Sequence, residues 1–262
     1  TFYSMFGFQR VGDLIWQAAD IRARGFLMGA TAGRTTLLGE GLQHQDGHSL
    51  LLASTIPSLQ AYDPAFAYEV GAIVRHGIER MYGGARDLDT GEPLDPDSIF
   101  YITLYNENYR MPALTPEQTI EVEAGVIRGL YRWQVAPDGP SKRATILFSG
   151  VSHGAARQAA ADLAEHYDVA AELWSATNYK RLREEALSTE RWNRLHPSQP
   201  ARVPLVTRLL SQSQGPITAV SDWMKIVPEQ IARFVPEGRH FEVLGTDGMG
   251  RSDTREALRR HF

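Results

Sequence analysis

The stretch ATILFSGVSHGAARQAAADLAEHYDVAAELW, residues 144–174, decides the fold. Residues 144–148 form a short apolar run of strand length. Residues 153–166 are alanine-rich and helical, and residues 169–174 form a second apolar run. A strand, a helix and a strand in succession make the unit that joins parallel neighbours in a sheet. The pattern continues outward. Residues 179–195 read as a charged, mostly surface helix, 203–210 as a helix, 217–220 as a strand, 228–234 as a helix and 241–244 as a strand. The glycine-rich segment 245–250 then turns, and Asp253 or Thr254 caps a last helix. This alternation predicts an α/β domain with a largely parallel sheet.

The chain before this unit has a similar grammar. Val11, Leu14, Ile15, Ala18 and Ile21 make one apolar helical stripe that ends before Gly25. Residues 26–30 read as a buried strand. Ala67, Val70, Val74, Ile78 and Met81 make a second stripe, closed by Gly83 and Gly84. Residues 86–98, rich in Asp, Gly and Pro, read as an exposed excursion. Residues 99–105 are aromatic and β-branched and predict a strand. Thr115, Pro116 and Gln118 combine an N-cap, a first-turn proline and a capping box, so a helix should run to about Trp133. The change of texture between Pro112 and Pro140 divides the chain into residues 1–120 and 121–262. The chain opens inside an aromatic, strand-like run over residues 1–8 and stops in a helical pattern, which fits a piece of a longer polypeptide.

Composition narrows the function classes. The 262 residues carry a net charge of −4, which gives no electrostatic case for nucleic acid or an anionic membrane. There is no cysteine, hence no disulfide and no thiolate metal site. No apolar run approaches the roughly 20 residues that span a bilayer, and no secretory signal is visible. These features suit a cytoplasmic protein.

Chemistry concentrates in residues 31–50, which hold four glycines, Arg34, Glu40, His44, Asp46 and His48. The segment has neither helical nor strand periodicity and follows a buried strand, the position where open α/β sheets place ligands. Two histidines with an aspartate between them fall short of a metal set, because a further ligand is needed. Acid–base work or stabilisation of substrate charge suits such a loop histidine as well as a purely structural hydrogen bond does. For Arg34, an ion pair with Glu40 is the expected role. No P-loop and no His-Glu-x-x-His is present.

Residues 3–13 (Tyr-Ser-Met-Phe-Gly-Phe-Gln-Arg-Val-Gly-Asp) and 39–49 (Gly-Glu-Gly-Leu-Gln-His-Gln-Asp-Gly-His-Ser) resemble the homodimeric bacterial pyruvate dehydrogenases, the thiamine-diphosphate-dependent decarboxylating components of the pyruvate dehydrogenase complex. The likeness continues through residues 62–70, 104–112, 190–193 and 245–253, and a more distant one to transketolase runs through the same loop histidine. It implies two transketolase-like α/β domains, each a largely parallel sheet flanked by helices. The first is the later part of the pyrimidine-binding middle domain, truncated at its start. The second is the carboxyl-terminal domain, truncated at its end.

The resemblance also implies site residues. Phe6 matches the aromatic on which the cofactor's aminopyrimidine packs, and Tyr3 and His44 match residues near the reacting carbon and the substrate. Nothing is implied for His48. The implied reaction is decarboxylation of pyruvate on thiamine diphosphate, followed by transfer of the acetyl group to a lipoyl group of dihydrolipoamide acetyltransferase. The family's activating glutamate and its magnesium and diphosphate ligands belong to segments outside these residues, and no Gly-Asp-Gly occurs here. The expectation is therefore an enzyme piece, inactive by itself, that works with a second copy of the subunit. A dimerisation or partner-binding role without catalysis, or a transketolase-like reaction on another substrate, are the alternatives.

Overall fold

Tyr3 pairs with Ala30 and Phe2 with Gly29, and there this first strand stops because its partner strand ends. The computed structural model describes residues 1–262, the side chains of residues 4–6 excepted. The extended run expected over residues 1–8 is thus a strand only at β1 (Phe2–Tyr3); the chain turns at once into α1 (Ser4–Asp20). β2 (Gly25–Ala30) leads into the 31–50 segment, which closes with α2 (Ser49–Ala53). β3 (Leu59–Tyr62), α3 (Ala67–Ile78) and β4 (Ile99–Thr103) complete a four-stranded, wholly parallel sheet in the order β1-β2-β4-β3.

The second sheet starts after α4 (Pro116–Arg128), whose capping box at Thr115 and Gln118 is the one read from sequence. The helix ends at Arg128 rather than near Trp133. Gly129 takes a left-handed conformation, φ 99°, and the aromatic residues that follow form β5 (Tyr131–Gln134). β6 (Lys142–Phe148), α5 (His153–Tyr167), β7 (Val169–Ser175), α6 (Tyr179–Leu195) and α7 (Leu205–Leu210) come next. β8 (Ile217–Val220), α8 (Ile226–Glu229), β9 (Phe241–Leu244) and α9 (Arg255–His261) close the chain. The five strands lie in the order β5-β7-β6-β8-β9, all parallel except β5. The expected α/β class, with transketolase-like, largely parallel sheets flanked by helices, holds.

Two helical stripes are rotated from their expected positions. On α1 the buried residues are Phe8 and Ile15, whereas Val11, Leu14 and Ile21 are 42, 60 and 72% exposed. Apolar residues encircle this helix, so periodicity does not choose the face that meets the sheet. On α3 the buried positions are Glu69, Ala72, Ile73 and Gly77, one step round from the stripe read in the sequence. α6 is less of a surface helix than expected, burying Tyr179, Lys180, Leu182, Ala186 and Thr189.

The two sheets share their interior. One apolar cluster joins Ile15, Leu50, Leu59 and Tyr101 to Trp174, Leu182, Trp223 and Phe234. A second joins Tyr62 and Phe100 to Val126 and Tyr131, and a third joins Phe66 to Phe148 and Leu173. Each cluster draws on residues from both sides of residue 112, so neither sheet is buried without the other.

Candidate active site

β1 and β2 are parallel, so Tyr3 and the 31–50 segment emerge at the same, carboxyl edge of the sheet. Glycines and polar residues keep the segment out of regular structure until Leu42–His44, a single 3₁₀ turn. His44 ends that turn, its backbone N–H donating to Gly41 O at 3.0 Å. The turn places the His44 ring edge-on to Tyr3, with centroids 5.3 Å apart and planes at 76°. Tyr3 is 50% exposed and the His44 side chain 20%, so the pair is open to solvent on this chain. Glu40 Oε2 lies 3.9 Å from His44 Nε2. Phe6, the third candidate, lies outside the described side chains.

Arg34 is not the surface partner of Glu40 expected from the sequence. It is fully buried, and its Nη2 lies 3.2 Å from both ring nitrogens of His48. Burial draws its pKa down, against the nearby charges of Asp46, Asp222 and Asp247. Burial and the Arg34 charge likewise lower the pKa of His48, which favours a neutral ring. Asp46 Oδ1 accepts from the backbone N–H groups of His48 and Ser49, both at 2.9 Å, and so fixes the start of α2. His48 is thereby held against Arg34, whereas His44 faces Tyr3; both are half-buried.

Much of what holds the segment comes from the second half of the chain. Asp222, at the carboxyl end of β8, accepts from Arg34 N at 2.8 Å and from Thr35 N at 3.1 Å through Oδ2. Met224 N donates to Gly47 O at 3.0 Å, and Arg251 N donates to Gln45 Oε1 at 2.5 Å. Gly39 N donates to Asp253 O at 3.2 Å, and Arg255 Nε to Thr36 O at 2.8 Å. The segment just past the 245–250 turn, Arg251, Asp253 and Arg255, thus serves as a brace for the loop.

Two more carboxylates are buried where the sheets meet. Asp63 takes hydrogen bonds from Thr103 and Tyr105 on its own side and from Trp223 across the interface. Glu69 takes them from the backbone of Ala65 and Phe66, from Tyr131 and from Ser175. Burial raises the pKa of both, and their hydrogen bonds oppose the rise. Neither residue stands out in the sequence, where each reads as an ordinary acid next to a turn or in a helix. The 86–98 excursion is also tied down, through an ion pair of Asp87 with Arg181 at 3.1 Å.

Residues 150–154, Gly-Val-Ser-His-Gly, match the Gly-x-Ser-x-Gly pattern and sit between β6 and α5, a signal that the sequence reading passes over. The geometry does not make Ser152 a nucleophile. Its backbone is relaxed, φ −68°, and its Oγ is buried against Ser149 O at 2.6 Å and Val220 O at 2.9 Å. A cavity of about 520 Å³ opens nearby, lined by Thr35, Tyr109, His153, Asp222, Thr246 and Phe262. Among the described residues no group of three or more His, Cys, Asp or Glu is arranged to hold a metal ion.

Comparison with known proteins agrees with this architecture. Residues 1–112 match the family described as the pyruvate dehydrogenase E1 component middle domain, and residues 129–262 the transketolase-like TK C-terminal domain. The pyruvate dehydrogenase E1 component of Mycolicibacterium smegmatis is 53% identical over 262 residues, covering 100% of this chain and 27% of the relative. That of Escherichia coli K12 is 46% identical over 261 residues, covering 100% of this chain and 28% of the relative. This chain thus spans little more than a quarter of the length of such relatives. Transketolase from Leishmania mexicana superposes with a TM-score of 0.63 at 15% identity, covering 99% of this chain and 31% of that one, a likeness of fold. The chain belongs to the transketolase-like family, and over its whole length it is similar to pyruvate dehydrogenase E1 components.

Proposed function

We propose that this chain supplies the Tyr3 and His44 side of the active site in a pyruvate dehydrogenase E1 polypeptide. The observation that carries the reading is the ring pair at 5.3 Å, presented at the carboxyl edge of a parallel sheet and open to solvent. The donor set, a phenol beside an imidazole, fits the reacting end of thiamine diphosphate, with Phe6 against the pyrimidine by resemblance. When bound, thiamine diphosphate supplies the electron sink for decarboxylation of a 2-oxo acid.

The roles of the residues follow from their chemistry. The Tyr3 hydroxyl donates a hydrogen bond to the substrate oxygen that gains negative charge. The His44 imidazole can pass a proton to that oxygen or recover it. Both rings also exclude water from one side of the substrate once a further surface covers them. Pyruvate is the substrate, and the acetyl group passes to a lipoyl group of dihydrolipoamide acetyltransferase. No helix among the described residues is long and apolar enough to cross a membrane. The cytoplasm is the compartment that suits this reading.

The test is His44→Ala in a polypeptide of the relatives' length. Turnover of pyruvate, or acetylation of the lipoyl group, should fall at least about a hundredfold. Wild-type rates in both steps would remove the assignment. A second copy of the subunit is part of the same reading. Val11 and Leu14 on α1 and Ile21 just after it are 42, 60 and 72% exposed, an apolar strip suited to burial between copies. Sedimentation equilibrium should read a dimer, and a monomer at micromolar concentration removes that part.

A further inference from the structure

We infer that Asp222 is a positioning residue for His44, and that through it the carboxyl-terminal half sets the geometry of the active-site loop. The inference rests on the catalytic reading of His44 given above.

The loop has little structure of its own. Its internal backbone bonds are Asp46 N to Gly33 O at 3.2 Å and the two bonds of the 3₁₀ turn, His44 N to Gly41 O and Gln45 N to Leu42 O. A segment so sparsely bonded has many accessible conformations, and ordering it requires outside contacts. Asp222 supplies the contact nearest the root. One oxygen, Oδ2, receives two consecutive backbone N–H groups, those of Arg34 and Thr35, just as the chain leaves β2. A charged acceptor on two adjacent amides fixes both peptide planes. Gly33 lies close beneath: a Cβ there would fall 2.3 Å from Asp222 Oδ2. Asp222 is itself held, its carbonyl accepting from Thr246 Oγ1 at 2.9 Å.

The constraint has a short path to the imidazole. Residues fixed at 34 and 35 fix Gly33, which bridges to Asp46. Asp46 is two residues from His44, and Gln45 between them is pinned by Arg251 N and by its own Nε2 to Leu37 O at 3.0 Å. The carboxyl end of the turn that carries His44 is thus referred to Asp222 and to Arg251 in the second half of the chain. Asp222 acts through the loop backbone, so its effect is on where the imidazole sits.

The experiment compares Asp222→Ala with Asp222→Asn in a polypeptide of the relatives' length. Asn keeps one oxygen for the two amides; Ala keeps none. Hydrogen exchange read by mass spectrometry should show the amides of residues 33–48 exchanging at least tenfold faster in Asp222→Ala, with β2 and β4 at wild-type rates. Asp222→Asn should stay within about threefold of wild type. In turnover, Asp222→Ala should lower kcat at the step that His44→Ala lowers, leave KM within about twofold, and add little in the double variant. Unchanged exchange over residues 33–48, or equal acceleration in both sheets, overturns the inference. So does local acceleration with wild-type kcat when His44→Ala is impaired. If His44→Ala has wild-type kcat while exchange still rises locally, the catalytic role of His44 has failed and the clamp itself stands.

Discussion

Trp223 donates its indole N–H to Asp63 Oδ2 at 2.9 Å, joining residues 160 positions apart and the two sheets of the molecule. Asp63 is 3% exposed and Trp223 is fully buried. The same carboxylate receives the hydroxyls of Tyr105 at 2.5 Å and Thr103 at 2.6 Å, and the backbone around it is tied across the interface by Asp63 N to Thr177 O. A buried acceptor with donors from both sheets makes separation of the sheets costly, because each group would be left unpaired until water reached it.

Trp223→Phe therefore should lower the stability of the whole chain by about 2–4 kcal/mol, from the lost hydrogen bond and the smaller ring together. Because all three apolar clusters span both sheets, urea unfolding followed by circular dichroism should stay a single transition with an earlier midpoint and an unchanged slope. Two separated transitions in the wild-type chain would contradict a shared interior.

The sequence makes β2, β4, β6, β7, β8, β9 and the capped helix at Thr115 legible, since each rests on a local pattern, whereas the short β3 and β5 do not announce themselves. The buried acids are not legible for a physical reason. Glu69 meets Ser175 at a separation of 106 residues and Asp222 meets Arg34 at 188, so no window of sequence contains both partners. Arg34 fails for the same reason: Glu40 is near in sequence, but the charges that compensate it include Asp222 and Asp247 from the second half. The misplaced stripe on α1 has another cause. Val11, Leu14, Trp16 and Ile21 are as apolar as Phe8 and Ile15, and only the neighbouring sheet decides which of them is covered.

Asp222 gives stability a predictable pH dependence. Burial raises its pKa from the ordinary 3.8 to about 6, against the lowering effect of its bonds to Thr35 and Arg34. The folded chain then holds a proton there that the unfolded chain has released. The stabilising contribution is full below pH 3.8 and is lost as pH rises through about 6. Arg34, which stays protonated over this window, and Asp63 face it from the loop and the first sheet. Asp222→Asn removes the titration and leaves those groups in place. Between pH 4 and pH 7 wild type should lose about 2 kcal/mol relative to Asp222→Asn in parallel urea titrations. A constant difference would show that the carboxyl titrates normally. The ionised acid above pH 6 is thus kept at a cost to stability, in a position where its oxygen receives two amides of the loop.

Gly47 looks like a source of loop flexibility, but its environment requires glycine for space. A Cβ at this position would lie 2.0 Å from Arg34 Nε, 2.7 Å from its Cζ and 2.8 Å from its Nη2. Arg34 is fully buried and sandwiched with His48, so its guanidinium has nowhere to retreat. Gly47→Ala should cost about 1–3 kcal/mol through overpacking. The cause can be isolated by removing the obstacle. In an Arg34→Ala background, which carries its own penalty, Gly47→Ala should cost less than about 0.5 kcal/mol, because the clash no longer exists. A double-variant cycle by urea denaturation reads this directly as a coupling between the two positions. Additive costs would mean that Gly47 is required for its backbone alone. Strong coupling would instead make the glycine and the arginine one packing unit, in which the loop is dense where its composition looks loose.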